Sequence, residues 1–246
     1  MARWLDAEVI ENRAWTEQLF SLRVKAEPFD FIAGQFVRLA LELPQGRAQR
    51  AYSLVNGPGD DILEFLVTDV DGGRLSPALH GLRAGDGIQV SQPASGFFTL
   101  DEVPDADSLW LLSTGTGIGP YLSMLATEVP WQRFRRIHLV HGVRFGADLA
   151  YRDWIANWQQ ARGQGLTYLP VVTREAYPGA LSRRLPALIE SGELEAALGD
   201  KLDNGAQVML CGNPDMIRDA QAALAEKGLS KNLRRKPGQV TVEQYW

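Results

Sequence analysis

The chain of 246 residues is poor in the side chains that build metal and nucleophile sites, with one cysteine, Cys211, and three histidines, His80, His138 and His141. A single cysteine excludes an intrachain disulfide framework, a four-cysteine zinc site and an iron–sulfur cluster held by four thiolates of this chain. The histidines lack metal-ligand spacing, so no metal is expected, and no G-x-S-x-G segment supports serine-hydrolase chemistry. No apolar run approaches the roughly 18 residues of a membrane span, and Met1 to Asp6 lacks the apolar stretch of a secretory signal. A cytoplasmic protein without a membrane partner is therefore expected. Positive charge is not in excess either: 25 Lys and Arg stand against 30 Asp and Glu, for a net charge of −5, which argues against nucleic acid as the partner. If such a chain moves electrons, an organic cofactor carries them.

What is present is core-forming material, 45% hydrophobic against 22% charged, enough for one large or two modest globular domains. Up to about residue 100, short alternating or apolar runs (16–24, 35–43 and 62–68) are separated by Gly34, Pro44-Gln45-Gly46, Gly57-Pro58-Gly59, Gly72-Gly73 and Gly85-Asp86-Gly87. Closely spaced short strands predict a small antiparallel β-barrel or sandwich, and one short helix fits Leu75 to Leu82. Beyond about residue 104 the period changes. Apolar runs at 109–112, 137–140, 168–172 and 208–210 alternate with helical patterns, including one from Pro120 to Thr127. That alternation predicts an α/β domain with a parallel sheet. The boundary falls in the polar connector near Leu100 to Ala106, giving domains 1–102 and 103–246.

Several segments place reactive residue types together. Ser113-Thr114-Gly115-Thr116-Gly117-Ile118-Gly119-Pro120 follows a strand and opens a helix. Its glycines allow close approach to a phosphate or a ring, although an ordinary tight turn would read the same, and neither the Rossmann spacing nor a P-loop lysine is present. Arg50 and Tyr52 alternate onto one face of a strand, either for a pyrophosphate and a planar ring or as a cross-strand cation–aromatic contact. Cys211 closes a strand where open α/β sheets bind ligands, or it is a buried structural thiol. Thr173-Arg174 and Arg183-Arg184 offer guanidinium forks suited to a 2′-phosphate, which would favour NADP over NAD. Lys227 to Val242 and Arg133 to Arg136 are basic, either solvated faces or docking sites for an acidic partner. The terminal Tyr245-Trp246 either packs as a hydrophobe or stacks on a cofactor ring.

In their joint order, the R-x-Y-S segment at 50–53, G-G-R-L-S-P at 72–77, T-G-T-G-I-G-P at 114–120, C-G-N-P at 211–214 and the terminal Tyr-Trp resemble bacterial ferredoxin/flavodoxin–NADP reductases, most closely the enterobacterial-type branch. The resemblance spans nearly the whole chain, with a loop at 115–119 that is glycine-richer than in some relatives. It implies an FAD-binding barrel, an NADP-binding α/β domain whose C-terminal tail contacts FAD, and a monomer. By that resemblance, Arg50 neutralises the FAD pyrophosphate, Ala51 and Tyr52 contact the isoalloxazine, and Ser53 hydrogen-bonds near the hydride-accepting N5. Leu66, Val67 and Thr68 line the flavin and ribityl chain. Gly73, Arg74, Leu75 and Ser76 hold the pyrophosphate, and Tyr245 and Trp246 shield FAD. Thr116 touches both cofactors. Gly117, Arg144, Thr173, Arg174, Arg184 and Asp215 bind NADP, Cys211 borders the nicotinamide, and Glu243 assists proton handling. The implied activity is electron transfer between NADPH and ferredoxin or flavodoxin, with Lys231, Arg234, Arg235 and Arg133 to Arg136 as docking residues. Two other readings remain open at this point: a reductase component serving an oxygenase or free flavin, and a non-enzymatic flavin-binding regulator with Cys211 as redox sensor.

Overall fold

A computed structural model describes residues 3–245 of the chain. The first strand, β1 (Arg3–Ala14), was not foreseen. Its buried residues Leu5, Ala7 and Val9 alternate with exposed charges, and a bulge between Val9 and Glu11 then breaks the period, so the pattern reads as polar. The following strands β2 (Leu19–Lys25), β3 (Phe36–Leu41) and β5 (Ile62–Thr68) lie where alternation and turn residues predict them, within a few residues, and β4 (Ala48–Ser53) is the expected strand carrying Arg50 and Tyr52, whereas β6 (Gly87–Gln92) is a further strand that the sequence reading does not contain. Together they form one six-stranded antiparallel sheet in the order β4-β3-β6-β1-β2-β5. The inward face closes over Phe20, Leu22, Leu39, Leu54 and Phe65, all fully buried. Helix α1 (Ser76–His80) is shorter than the predicted 75–82, and Leu75 and Leu79 carry it into this core. Its C-terminal end is held by Asn12, whose Nδ2 donates to the carbonyls of Leu79, His80 and Leu82, each at 3.0 Å.

Five parallel strands follow: β7 (Ser108–Thr114), β8 (Arg136–Val143), β9 (Leu166–Val172), β10 (Ala206–Gly212) and β11 (Val240–Gln244), in the order β11-β10-β7-β8-β9. Strands β7, β8 and β10 are buried along almost their whole length, as befits a parallel sheet with helices on both faces. Between them come α2 (Gly119–Leu125), α3 (Val129–Arg133), α4 (Arg152–Arg162), α5 (Leu185–Ser191), α6 (Glu193–Leu198) and α7 (Pro214–Glu226). One core lies where α5 and α7 meet the sheet, around Trp110, Leu112, Val140, Leu188, Val208 and Ile217. The chain divides into two compact units, 1–99 with 119–127, and 100–118 with 128–246. Residues 119–127, expected with the second domain, thus group with the first.

The strand order reverses direction at β7. The chain starts there, builds β8 and β9 to one side and β10 and β11 to the other, so the crevice between the C-terminal ends of β7 and β10 is the topological switch point at which open α/β sheets bind ligands. The glycine-rich loop and Cys211 both lie there.

Candidate functional site

At the switch point, the loop after β7 runs as a single 3-10 turn, Gly115–Ile118, against the end of β10. A Cβ on Gly117 would lie 2.5 Å from the Cys211 carbonyl oxygen, so only glycine allows this approach. The Thr114 hydroxyl accepts from the Asn213 N–H at 3.0 Å, and the Asn213 side chain caps α7 by accepting from the N–H groups of Asp215 and Met216 at 2.9 and 3.2 Å. Thr116 is buried. Asp215 is exposed and paired with Arg218 at 2.6 Å.

Strand β11, also unforeseen, brings the chain terminus to the same point, placing Glu243 in register with Cys211. Five residues directly after a basic stretch carry too little periodicity to announce a strand. The Tyr245 N–H donates to the Gly212 carbonyl at 3.0 Å, which ties the tail down. Trp246 lies outside the described residues. The Cys211 thiol is fully buried and held well above its ordinary range, first by burial and then by the Glu243 charge. Glu243 is half-buried, its Oε2 is shut off from solvent with no hydrogen-bond partner, and desolvation pushes its carboxyl up to about 7.

Further along the C-terminal edge of the sheet, the loops after β8 and β9 are laced together. Thr173 donates its N–H and its hydroxyl to the Val143 carbonyl at 3.1 and 3.2 Å, and the Arg174 N–H donates to the Arg144 carbonyl at 2.9 Å. Arg144, Arg174 and Arg184 are exposed, and none has an ion pair among the described residues. Arg183, next to Arg184, is engaged by Glu193. Arg144 and Arg174 follow the ends of β8 and β9, and Arg184 stands at the N-terminal cap of α5; a guanidinium of this kind matches phosphate oxygens.

The barrel unit carries its own set. Arg50 is exposed and donates only to its neighbour's Gln49 carbonyl, at 3.0 Å. The cation–ring contacts among the described residues are Arg13 on Trp15, Arg47 on Trp4, Arg133 on Phe134 and Arg162 on Trp131, so the Arg50–Tyr52 contact raised as an alternative is absent from them. Burial pushes the Tyr52 phenol up to about 12, which keeps it neutral, while its flank remains partly open. Ala51 is exposed and Ser53 half-buried beside it. Strand β5 is an edge strand, with Val67 turned into the barrel core, Leu66 buried and Thr68 half-exposed. At the loop before α1, the Val70 N–H donates to Ser76 Oγ at 3.0 Å, the Gly73 N–H donates to the Val70 carbonyl at 2.8 Å, and Arg74 holds the carbonyls of Gln45 and Gly46, each at 3.1 Å. Exposed cations beside a neutral aromatic ring fit a flavin dinucleotide. The C-terminal arginines and the glycine-backed loop fit a nicotinamide dinucleotide phosphate.

Two sequence expectations need correction. Arg133 is a brace rather than a docking residue: its guanidinium donates to the carbonyls of Leu100 and Val103 at 2.7 and 2.6 Å and pairs with Asp105, fastening the connector before β7. Arg136 is likewise committed, to Asp200 at 2.9 Å, and Arg234 reaches Glu102 at 3.2 Å. Lys231, Arg235, Lys236 and Arg135 remain exposed with no ion pair among the described residues. The histidines are each engaged within the protein, His80 by Asp69, His138 by Asp200 and His141 by the Gly115 carbonyl.

Comparison with known proteins matches residues 7–98 to the oxidoreductase FAD-binding domain family and residues 111–222 to the oxidoreductase NAD-binding domain family. The chain is 48% identical to a flavodoxin/ferredoxin–NADP reductase of Shigella flexneri and 47% identical to one of Escherichia coli K12, in each case over 100% of both chains. Among solved structures, a ferredoxin NADP+ reductase from Neisseria gonorrhoeae with bound FAD and NADP superposes with a TM-score of 0.94 at 32% identity over 100% of both chains. A cytochrome P450 reductase from Amycolatopsis superposes at 0.80 with 28% identity, the match covering 99% of this chain and 70% of that one.

Proposed function

Because this chain belongs to the flavodoxin/ferredoxin–NADP reductases, FAD-dependent enzymes that use NADP, we infer that its barrel unit holds FAD, that the arginines ending β8 and β9 select NADPH, and that a small acidic electron carrier docks on its remaining free cations. The observation that carries the cofactor choice is the trio Arg144, Arg174 and Arg184, exposed and uncommitted beside an Arg183 that is engaged. A 2′-phosphate is the one group that separates NADPH from NADH, and a guanidinium fork matches its oxygens.

FAD held by the barrel unit would supply the redox chemistry that links a two-electron hydride donor to one-electron carriers. The chain's own residues do the rest. Arg50 and Arg74 place positive charge where a pyrophosphate needs it. Tyr52, held neutral by its surroundings, offers a flat face, and Ser53 follows it on the same strand. Gly117 lets its loop lie against the Cys211 carbonyl at the end of β10, which holds the loop at the switch point where the nicotinamide half of NADPH would bind. Cys211 keeps its proton and supplies a small, uncharged border. Glu243 is able to hold a proton near neutral pH.

The match to flavodoxin/ferredoxin–NADP reductases over 100% of both chains favours this reading over a component of an oxygenase system, since the match to the cytochrome P450 reductase covers 70% of that chain. A redox-sensing Cys211 is disfavoured by a thiol that is both buried and protonated. Among the described residues no helix is long and apolar enough to cross a membrane, and the same reading places the enzyme in the cytoplasm.

The visible spectrum of the purified protein, followed anaerobically with NADPH and separately with NADH, tests the assignment. A two-banded flavin spectrum bleached far faster by NADPH is the expected result. A colourless protein that FAD cannot reconstitute would overturn it. Docking has its own test, since exposed complementary charges speed encounter and are screened by salt. Transfer to flavodoxin or ferredoxin is expected to slow several-fold from low to about 0.3 M salt, and charge reversal at Lys231 and Arg235 should flatten that dependence. The same reversal at Arg133 should instead weaken the fold.

A further inference from the structure

Strand β8 carries a histidine where its pattern calls for an apolar residue. His141 is fully buried, following Leu139 and Val140 and lying in register with Ser113 on β7. Desolvation holds its imidazole down to about 4, so the ring is neutral at physiological pH and carries one N–H. That hydrogen belongs on Nε2, which lies 2.9 Å from the Gly115 carbonyl oxygen, whereas Nδ1 is buried without a partner. A leucine would fill such a position without leaving a buried nitrogen unsatisfied. The packing therefore does not explain the histidine, and its single hydrogen bond does.

The acceptor of that bond is the first residue of the loop at the switch point. Gly115 sits at φ +55 at the start of the 3-10 turn Gly115–Ile118, and the imidazole N–H reaches its carbonyl from the neighbouring strand. The peptide joining it to Thr116 is trans, and the carbonyl and N–H of a trans peptide point in opposite directions. Holding the Gly115 oxygen inward thus turns the Thr116 N–H away from the core. We propose that His141 is a positioning residue: its Nε2–H anchors the Gly115 carbonyl and so sets the direction of the Thr116 N–H and the course of the loop against which NADPH binds. This rests on the NADPH reading of that loop and deepens it.

The imidazole geometry supplies a test with an internal control. A glutamine amide nitrogen reaches the position of Nε2, whereas an asparagine amide nitrogen reaches only that of Nδ1. Steady-state reduction of ferricyanide by NADPH is measured for the FAD-loaded wild type and for His141→Gln, His141→Asn and His141→Leu, with FAD content and thermal midpoint recorded alongside. In His141→Asn and His141→Leu the KM for NADPH is expected to rise about tenfold, the size of effect that follows from losing one orienting hydrogen bond, while kcat changes less than about threefold and FAD content stays the same. His141→Gln should return KM to within about threefold of wild type. Equal KM values for the Gln and Asn variants, or a folded His141→Leu with wild-type KM, would overturn the proposal. Should His141→Leu not fold, the two amide variants decide the matter alone. A wild-type protein that NADPH does not reduce would overturn the cofactor reading itself, and with it this inference.

Discussion

Replacing both Arg174 and Arg184 with alanine is expected to raise the KM for NADPH by about a hundredfold or more while leaving kcat/KM for NADH within about threefold of wild type. Each guanidinium stands free of ion pairs among the described residues, so no internal partner is stranded when it is removed. The loss is then confined to the ligand. A hydrogen bond to a charged group is worth about 1.5–3 kcal/mol, roughly ten- to a hundredfold in binding, and two neighbouring groups on one phosphate need not add fully. Both arginines lie on loops held by main-chain bonds, such as that from the Arg174 N–H to the Arg144 carbonyl, so truncation of the side chain leaves the frame intact. Arg183→Ala is the control. Its side chain serves Glu193, and NADPH kinetics should hardly change. Equal losses with NADPH and NADH in the double variant would mean that the arginines support the fold rather than read the 2′-phosphate.

The second large effect concerns Glu243. Its carboxyl is raised from 4.5 to about 7 by burial, so the folded state binds a proton more tightly than the unfolded chain does. The sign follows directly. Between pH 4.5 and about 7 the folded state holds more protons than the unfolded state, and stability therefore falls as pH rises through that window and levels off above it. The shift corresponds to a loss on the order of 3 kcal/mol, or roughly 6–12 °C in thermal midpoint for a chain of this size. Glu243→Gln removes the titration. The wild type is expected to lose midpoint relative to the variant from pH 4.5 to 7.5, and its NADPH kcat/KM should decline above pH 7 where the variant's profile is flatter. Parallel midpoint curves for the two proteins would show that Glu243 titrates as an ordinary surface carboxylate.

Particular elements show what could be read along the chain. Strand β5 occupies 62–68 as its β-branched and apolar run predicts, and the glycine-rich loop stands between β7 and α2 as its position after an apolar run predicts. The alternation of strand and helix after residue 104 is an α/β pattern on its face, and the five-stranded parallel sheet follows. Strands β1 and β11 carry no clear strand signal along the chain, for opposite reasons. The first is long but half polar and interrupted by a bulge, and the second is too short to carry a period. The basic clusters were legible as clusters and nothing more. Of the arginines near residue 135, Arg133 is consumed by two carbonyls and Asp105, and Arg136 by an aspartate 64 positions away.

The sequence by itself determined the order of elements, the change of period between the two halves and the succession of motifs that marks the family. These depend on residues within a few positions of one another, whose spacing either suits a helix or a strand or does not. Tertiary structure alone decided which cations are free, that Glu243 lies in register with Cys211 with a sealed oxygen, and that His141 holds the Gly115 carbonyl 26 positions earlier. Pairing and desolvation depend on distance in space and on exclusion of water, and a charge written in the sequence carries no record of either until the chain has closed around it.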